Sequence, residues 1–279
     1  MTPLERALAD YDLNFKKYWS KVFAEYKKDY ERDLLWLAGP SSYVFSLCGQ
    51  KFAIDPQIRR KKDLDTVSDD LVSDFSDISF VMITHQHDDH MCRPLMRALK
   101  DTSIKWYIPK GVRTDLVEDS ELKEENIVWL CDGDILRFGD LSIRAFNTPH
   151  AREGFVELGF ELTTPNGKIL LPADVRDYNY SGYPDFNDVD LCISHLWAGN
   201  DAINPECYLP LLDKFVEFSA RFNAKRYFLC HLYEIGRKEQ YMWHDAHASL
   251  AISRFKNILG DVPIEIPRLG ERYELFVLS

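Results

Sequence analysis

The sequence lacks any run approaching the about 18 apolar residues that a membrane-spanning helix needs, and its first 33 residues are charged rather than apolar, so neither a span nor a secretion signal is expected. It also lacks basic charge. The 45 acidic residues outnumber 34 basic ones for a net charge of -11, which makes nucleic acid a poor partner, because phosphate contacts need a positive surface. Lys and Arg cluster only in the short patch Arg59-Arg60-Lys61-Lys62, read as a solvated loop, with an anion-docking site as the alternative. No CxxC pair occurs among Cys48, Cys92, Cys131, Cys192, Cys207 and Cys230, so thiolate metal sites and dithiol chemistry lose their usual signature. The cysteines lie in or beside apolar runs and read as core residues in a cytoplasmic protein. No internal repeat, low-complexity tract or linker divides the 279 residues, and a single domain is expected over 1–279.

What is present begins with a helix. Thr2-Pro3-Leu4-Glu5 combines a cap, a proline suited to the first helical position and a capping-box glutamate. Leu4, Leu8, Tyr11, Phe15, Tyr18, Trp19, Val22 and Tyr26 then recur at three- and four-residue intervals, which predicts an amphipathic helix to about Asp33, its aromatic stripe buried against its own domain. Short β-like runs follow at 34–37, 43–47 and 51–54, the last ending in Asp55-Pro56, and 57–78 reads as a loop or short helix. Phe80-Val81-Met82-Ile83 is an apolar run consistent with a buried strand. Further strands are expected at 104–108, 127–130, 135–138, 141–146, 156–162, 168–171, 191–194 and 227–230, with Asn166-Gly167 marking a hairpin and helices at about 209–222 and 245–259. Many hairpins with a few long helices call for sheets packed on each other and covered by helices.

Three of the eight histidines fall within six residues, in His85-Gln86-His87-Asp88-Asp89-His90. In an extended segment residues two apart point the same way, so His85 and His87 can share an ion, while Asp89 and His90 past the bend can reach a neighbouring one. His150, Asp174, His195 and His231 each follow an apolar β-like run. Strands lying side by side would bring those ends together.

The H-x-H-x-D-H run resembles the signature of the metallo-β-lactamase superfamily, and His150 in Asn-Thr-Pro-His, Asp174 in Leu-Leu-Pro-Ala-Asp and His231 in Phe-Leu-Cys-His match the family's later ligand positions in order over about residues 34 to 235. The resemblance implies an α/β (α+β) fold, a four-layer αββα sandwich, to which residues 1–33 add a helix. It implies that His85, His87 and His150 bind a first metal, that Asp89, His90 and His231 bind a second, and that Asp174 bridges them. The expected cofactor is two divalent ions, zinc first, because imidazole and carboxylate suit it; manganese or iron fits the same donors. Such a pair acidifies a bridging water and neutralises an oxyanion on the substrate, so the implied activity is hydrolysis of a small molecule by a metal-bridging hydroxide. Asp89 and His195 are the candidate catalytic residues, His195 as general acid or substrate clamp, with a structural histidine as its alternative. Tyr233, Glu234 and Arg237 are candidate substrate contacts, Arg237 suiting a phosphate or carboxylate, with a solvated loop as the alternative. Trp197, Tyr178 and Tyr180 are read at a pocket mouth, and His244 and His247 as partly exposed helix residues.

Trp36-Leu37-Ala38-Gly39, a hairpin and Ile54-Asp55-Pro56 are similar to the branch holding the L-ascorbate-6-phosphate lactonases and the N-acyl-phosphatidylethanolamine phospholipases D, although Gly39-Pro40-Ser41-Ser42 replaces that branch's usual Gly-His or Gly-Asn. The implied substrate is a small, anionic lactone or phosphodiester. Exported β-lactamases, nucleic-acid-processing members and flavodiiron members, which carry Glu where His87 stands, fit less well. The rivals are a mononuclear iron dioxygenase on the same fold and a metal-binding scaffold without catalysis. An oligomer is compatible with the sequence.

Overall fold

The computed structural model describes residues 3–28, 32–58, 68–150, 154–179, 181–234 and 237–276. The expected Thr2 cap, the basic patch at 59–62 and Tyr180 lie outside them. The chain divides into two compact units, Met1–Cys131 with Arg268–Ser279, and Asp132–Pro267.

The first unit opens with α1 (Pro3–Glu25), which ends earlier than its periodicity predicts: the chain tightens into a turn with Lys28 N–H on Glu25 C=O at 3.0 Å. Of its expected stripe Leu4, Phe15, Trp19, Val22 and Tyr26 are buried, joined by Phe23, while Leu8, Tyr11 and Tyr18 are half-buried. Trp19 and Phe23 stack at 4.4 Å, Phe75 closes over Phe23 at 4.9 Å, and the Trp19 indole donates to Asp74 at 2.7 Å. Asp74 ends α2 (Leu71–Asp74), a single turn capped by Asp70 within the segment expected to be polar.

The unit's sheet contains β1 (Leu34–Gly39), β2 (Ser42–Leu47), β3 (Gln50–Ile54), β4 (Phe80–Met82), β5 (Lys105–Pro109), β6 (Ile127–Leu130) and β14 (Arg272–Glu274), in the order β14-β1-β2-β3-β4-β5-β6. β14, too short and too polar to read from sequence, pairs antiparallel with β1. Because β3, β4 and β5 are parallel neighbours, their carboxyl ends lie together, and the motif loop leaves from β4 beside Asp55 at the end of β3. After the loop come two short helices, α3 (Arg93–Ala98) and α4 (Thr114–Glu118).

In the second unit the sheet runs β13-β12-β11-β10-β9-β8-β7, from β7 (Ile135–Phe138), β8 (Leu141–Asn147), β9 (Leu158–Thr164), β10 (Gly167–Leu171), β11 (Leu191–His195), β12 (Tyr227–Cys230) and β13 (Ile264–Glu265). The predicted hairpin is present, but its two turn residues are Pro165 and Asn166, since Gly167 already pairs with Thr164. The long helices are α5 (Pro205–Ala220) and α6 (Asp245–Leu259). α5 begins before the apolar onset suggests, because Asn204 caps it by accepting the Glu206 N–H and Pro205 takes the first position. Cys92, Cys192 and Cys230 are core residues; Cys131 and Cys207, expected there, are exposed.

His247 also departs from expectation. It is 4% exposed, its Nε2–H donates to Ala202 C=O at 2.8 Å, and its Nδ1 accepts the His244 N–H in a reciprocal cap. Burial lowers its pKa to about 4, so the native ring resists protonation that the unfolded ring accepts from about 6.5 downwards. Between these values the unfolded state binds more protons, and stability falls as pH falls. The melting temperature should therefore drop from pH 6.5 towards 4, and drop less in His247→Gln; equal slopes would refute this.

Candidate metal centre

In the first unit, the motif follows directly from β4. Ile83 N–H still bonds Tyr107 C=O at 2.9 Å, after which Thr84 turns the chain by giving its N–H and hydroxyl to the two oxygens of Asp55, at 2.7 and 2.6 Å. Asp55 Oδ2 also takes His90 Nδ1 at 2.7 Å, all three side chains being fully buried. A carboxylate on Nδ1 fixes the tautomer that keeps the Nε2 lone pair for a metal, and it raises the ring's basicity. His85 Nε2 and His87 Nδ1 converge to 2.9 Å, and the His85 and His90 rings pack at 4.1 Å. Asp89 Oδ2 lies 3.8 Å from His90 Nε2. The loop closes on itself through His90 and Met91 N–H on His87 C=O, at 2.9 and 2.7 Å.

The Gly39-Pro40-Ser41-Ser42 turn braces this loop. Ser41 donates to Asp89 C=O at 2.9 Å, and Ser42 donates to Asp55 C=O at 2.7 Å while accepting Gln57 N–H at 3.0 Å. A Cβ on Gly39 would fall 2.8 Å from Ser42 Oγ, so the close approach requires glycine.

In the second unit, β8 and β10 are both antiparallel to β9 and so run the same way, and β10, β11 and β12 are parallel. The carboxyl ends of these four strands deliver His150, Asp174, His195 and His231, and convergence there is the general rule for binding residues in sheets of this kind. Asp174 Oδ1 bonds His195 Nδ1 at 2.8 Å, and its Oδ2 lies 3.6 Å from His231 Nε2. The His195 and His231 rings stack at 5.2 Å and 8°. All four residues are buried, at 4% exposure or less. Ala173, His231 and Tyr233 hold positive φ of 61°, 66° and 57°, a conformation that costs non-glycine residues about 1–2 kcal/mol each and is kept where side chains must point one way.

Two glutamates stand beside these candidate ligands: Glu157, which the sequence reading passed over, and Glu234, read from the sequence as a possible substrate contact. Glu157 Oε1 accepts the Asp174 N–H at 2.6 Å and the Thr148 hydroxyl at 2.9 Å, while Oε2 stands 3.7 Å from His150 Nε2. Glu234 faces His231 Nδ1 at 3.5 Å. Arg237, expected to meet substrate, pairs through Nε with Glu234. Tyr233 is buried, its N–H on Trp243 C=O at 2.8 Å and its hydroxyl accepting Asp245 N–H at 3.3 Å. No periodicity or motif marks Glu157; Asp55 had a signal in the Asp-Pro after a strand, and Glu234 in its place just past His231.

The donors fit divalent metal. They are imidazoles, two of which, His90 and His231, turn Nδ1 towards a carboxylate, plus two aspartates, without sulfur, an arrangement zinc, manganese or iron accepts.

The family model of the β-lactamase superfamily domain matches residues 51–232. The chain belongs to the β-lactamase superfamily. Its fold is the α+β metallo-β-lactamase fold expected from the motif. Among solved structures, CmlA, a diiron β-hydroxylase from Streptomyces venezuelae, is similar with a TM-score of 0.59 and 15% identity over 90% of this chain and 55% of that one. The metallo-β-lactamase fold protein YhfI from Bacillus subtilis matches with a TM-score of 0.58 and 16% identity, over 88% of this chain and 100% of that one. Igni18, a metallo hydrolase from the archaeon Ignicoccus hospitalis KIN4/I, matches with a TM-score of 0.56 and 16% identity over 86% and 97% of the two chains. The chain spans little more than half the length of CmlA. Identities this low speak to the fold alone. No curated protein matches the chain. Among the described residues, no helix is long and apolar enough to cross a membrane.

Proposed function

We propose that this β-lactamase superfamily member is a binuclear metal-dependent hydrolase of a small anionic lactone or phosphodiester. His85, His87 and His150 would hold one ion, Asp89, His90 and His231 the other, with Asp174 shared between them. One observation carries most of the weight: Asp174 at the end of β10 is buried with His195 on one oxygen and His231 facing the other, so a carboxylate and two imidazoles are gathered at one point. Two divalent ions there would acidify water towards neutral pH and polarise the scissile carbonyl or phosphoryl group.

The chain's own groups do the rest. Asp55, Glu157 and Glu234 orient His90, His150 and His231, so the donors need little rearrangement to bind. His195, held through Nδ1 by Asp174, hands a proton from Nε2 to the leaving oxygen; the donor must be fixed in place for that transfer to be effective. Asp89, the more exposed of the two aspartates proposed as ligands, takes part in handling the proton of the attacking water. A zinc site kept in the cytoplasm fits the residue set, and the substrate is expected to be a small molecule rather than nucleic acid.

The test is a screen of lactones, phosphodiesters and thioesters with zinc- and manganese-loaded protein, before and after chelation. Turnover of a lactone or phosphodiester that disappears with the chelator and returns with metal is the expected result. Full loading without turnover of any compound would contradict it. CmlA is a diiron β-hydroxylase, and one or two irons with oxygen consumption would favour that chemistry instead.

A further inference from the structure

We propose that the Arg176 guanidinium and the Trp197 indole N–H form the subsite that receives the anionic group of the substrate, a carboxylate or a phosphate. The inference rests on the metal-centre reading above and names the part of the site that selects charge.

Arg176 lies two residues beyond Asp174, in a loop pinned beside His150 by the Arg176 and Asp177 N–H groups, which both bond Pro149 C=O, at 3.0 and 3.2 Å. Its Nη2 is 3.3 Å from Asp174 Oδ2, and its side chain is 17% exposed, so it borders the proposed metal ligands and still reaches solvent. The guanidinium sits 5.4 Å from the centre of the Trp197 ring, within cation–π range. Trp197 follows His195 by two residues, and its carbonyl is held by the Tyr178 hydroxyl at 2.5 Å. Burial raises the Tyr178 pKa well above its usual value, which keeps that hydroxyl a donor.

Two donors in this pair are buried and have no hydrogen-bond partner among the described residues, Arg176 Nε and Trp197 Nε1. A buried donor left unanswered is unfavourable, so the pair calls for an acceptor from outside the chain. Asp174 Oδ2 already accepts from Arg176 Nη2 at 3.3 Å, and that contact leaves Nε and the indole N–H unanswered. A planar carboxylate or a phosphate answers them, since a guanidinium presents a fork of donors matched to two oxygens. In a chain with a net charge of -11, such a local positive group also draws an anion towards an otherwise repelling surface. Arg237, the arginine the sequence offered for this role, is paired with Glu234. The competing role for Arg176 is as a counter-ion that merely neutralises Asp174, and the two roles predict different binding.

The experiment is calorimetric titration of the zinc-loaded full chain with inorganic phosphate, with zinc per chain measured on every sample. Wild type should bind phosphate. Arg176→Gln should bind it at least about 10-fold more weakly with unchanged zinc content, Arg176→Lys should recover part of the loss because lysine offers a point charge without the fork, and Trp197→Phe should weaken it less than Arg176→Gln. Phosphate binding that depends on Arg176 in a chain carrying no zinc would uphold the subsite and refute the metal reading. Zinc-loaded Arg176→Gln and Arg176→Lys that bind phosphate as wild type does, or a wild type that binds none at millimolar concentration, would overturn the subsite while leaving the metals standing.

Discussion

Asp174→Ala should lower hydrolysis by about 10³-fold or more and reduce the bound metal, because a single buried carboxylate serves several partners at once. Its oxygens contact His195 Nδ1 at 2.8 Å, His231 Nε2 at 3.6 Å and Arg176 Nη2 at 3.3 Å. Removing it leaves those nitrogens around an empty volume and takes away the negative charge that would let two cations sit close together. Asp174→Asn separates the two effects. The amide keeps the shape and one acceptor, so the fold should survive while metal content still falls, as read by elemental analysis and a melting curve on the same sample.

Asp55→Ala should have the largest effect on stability, although Asp55 is not proposed to touch metal. The fully buried side chain accepts from Thr84 N–H, the Thr84 hydroxyl and His90 Nδ1, and each donor left unsatisfied costs about 1–3 kcal/mol, for a total of about 3–9 kcal/mol. The backbone adds to this, since Asp55 has φ 48°, which Asp tolerates better than Ala. Asp55→Asn should cost much less stability yet weaken metal affinity by about 10–100-fold, because its amide can still serve Thr84 but no longer presents a carboxylate to the His90 ring. Denaturant unfolding and a metal-buffer titration measure the two quantities separately; Asp55→Asn with unaltered affinity would show that Asp55 only holds the loop.

The proposed ligands were legible in the sequence because metal-binding motifs concentrate rare residue types. Three histidines in His85 to His90 are visible without any structure, and His150, Asp174 and His231 stand out because each ends an apolar run. The parallel alignment of β10, β11 and β12 is the physical reason those endings matter. The carboxylates behind them could not be read. Glu157 is a single acidic residue in an acidic chain, Glu234 stood out only as a possible substrate contact, and what gives each its role is its closeness to His150 and His231. Arg176 was hidden for the same reason, whereas Arg237 drew attention by following His231 and turned out to face Glu234. Periodicity located α1 but not its end, and apolar onset missed the first turn of α5, where Asn204 and Pro205 act through backbone geometry rather than burial. β13 and β14, of two and three residues, carry too little pattern to register.

Counting metal ions in the purified chain and in His87→Ala tests the central claim most directly. The account predicts two divalent ions per wild-type chain and a clear loss in His87→Ala, whose imidazole converges with that of His85. A wild-type chain that retains no metal after loading, or a His87→Ala chain that keeps the full complement, would contradict it.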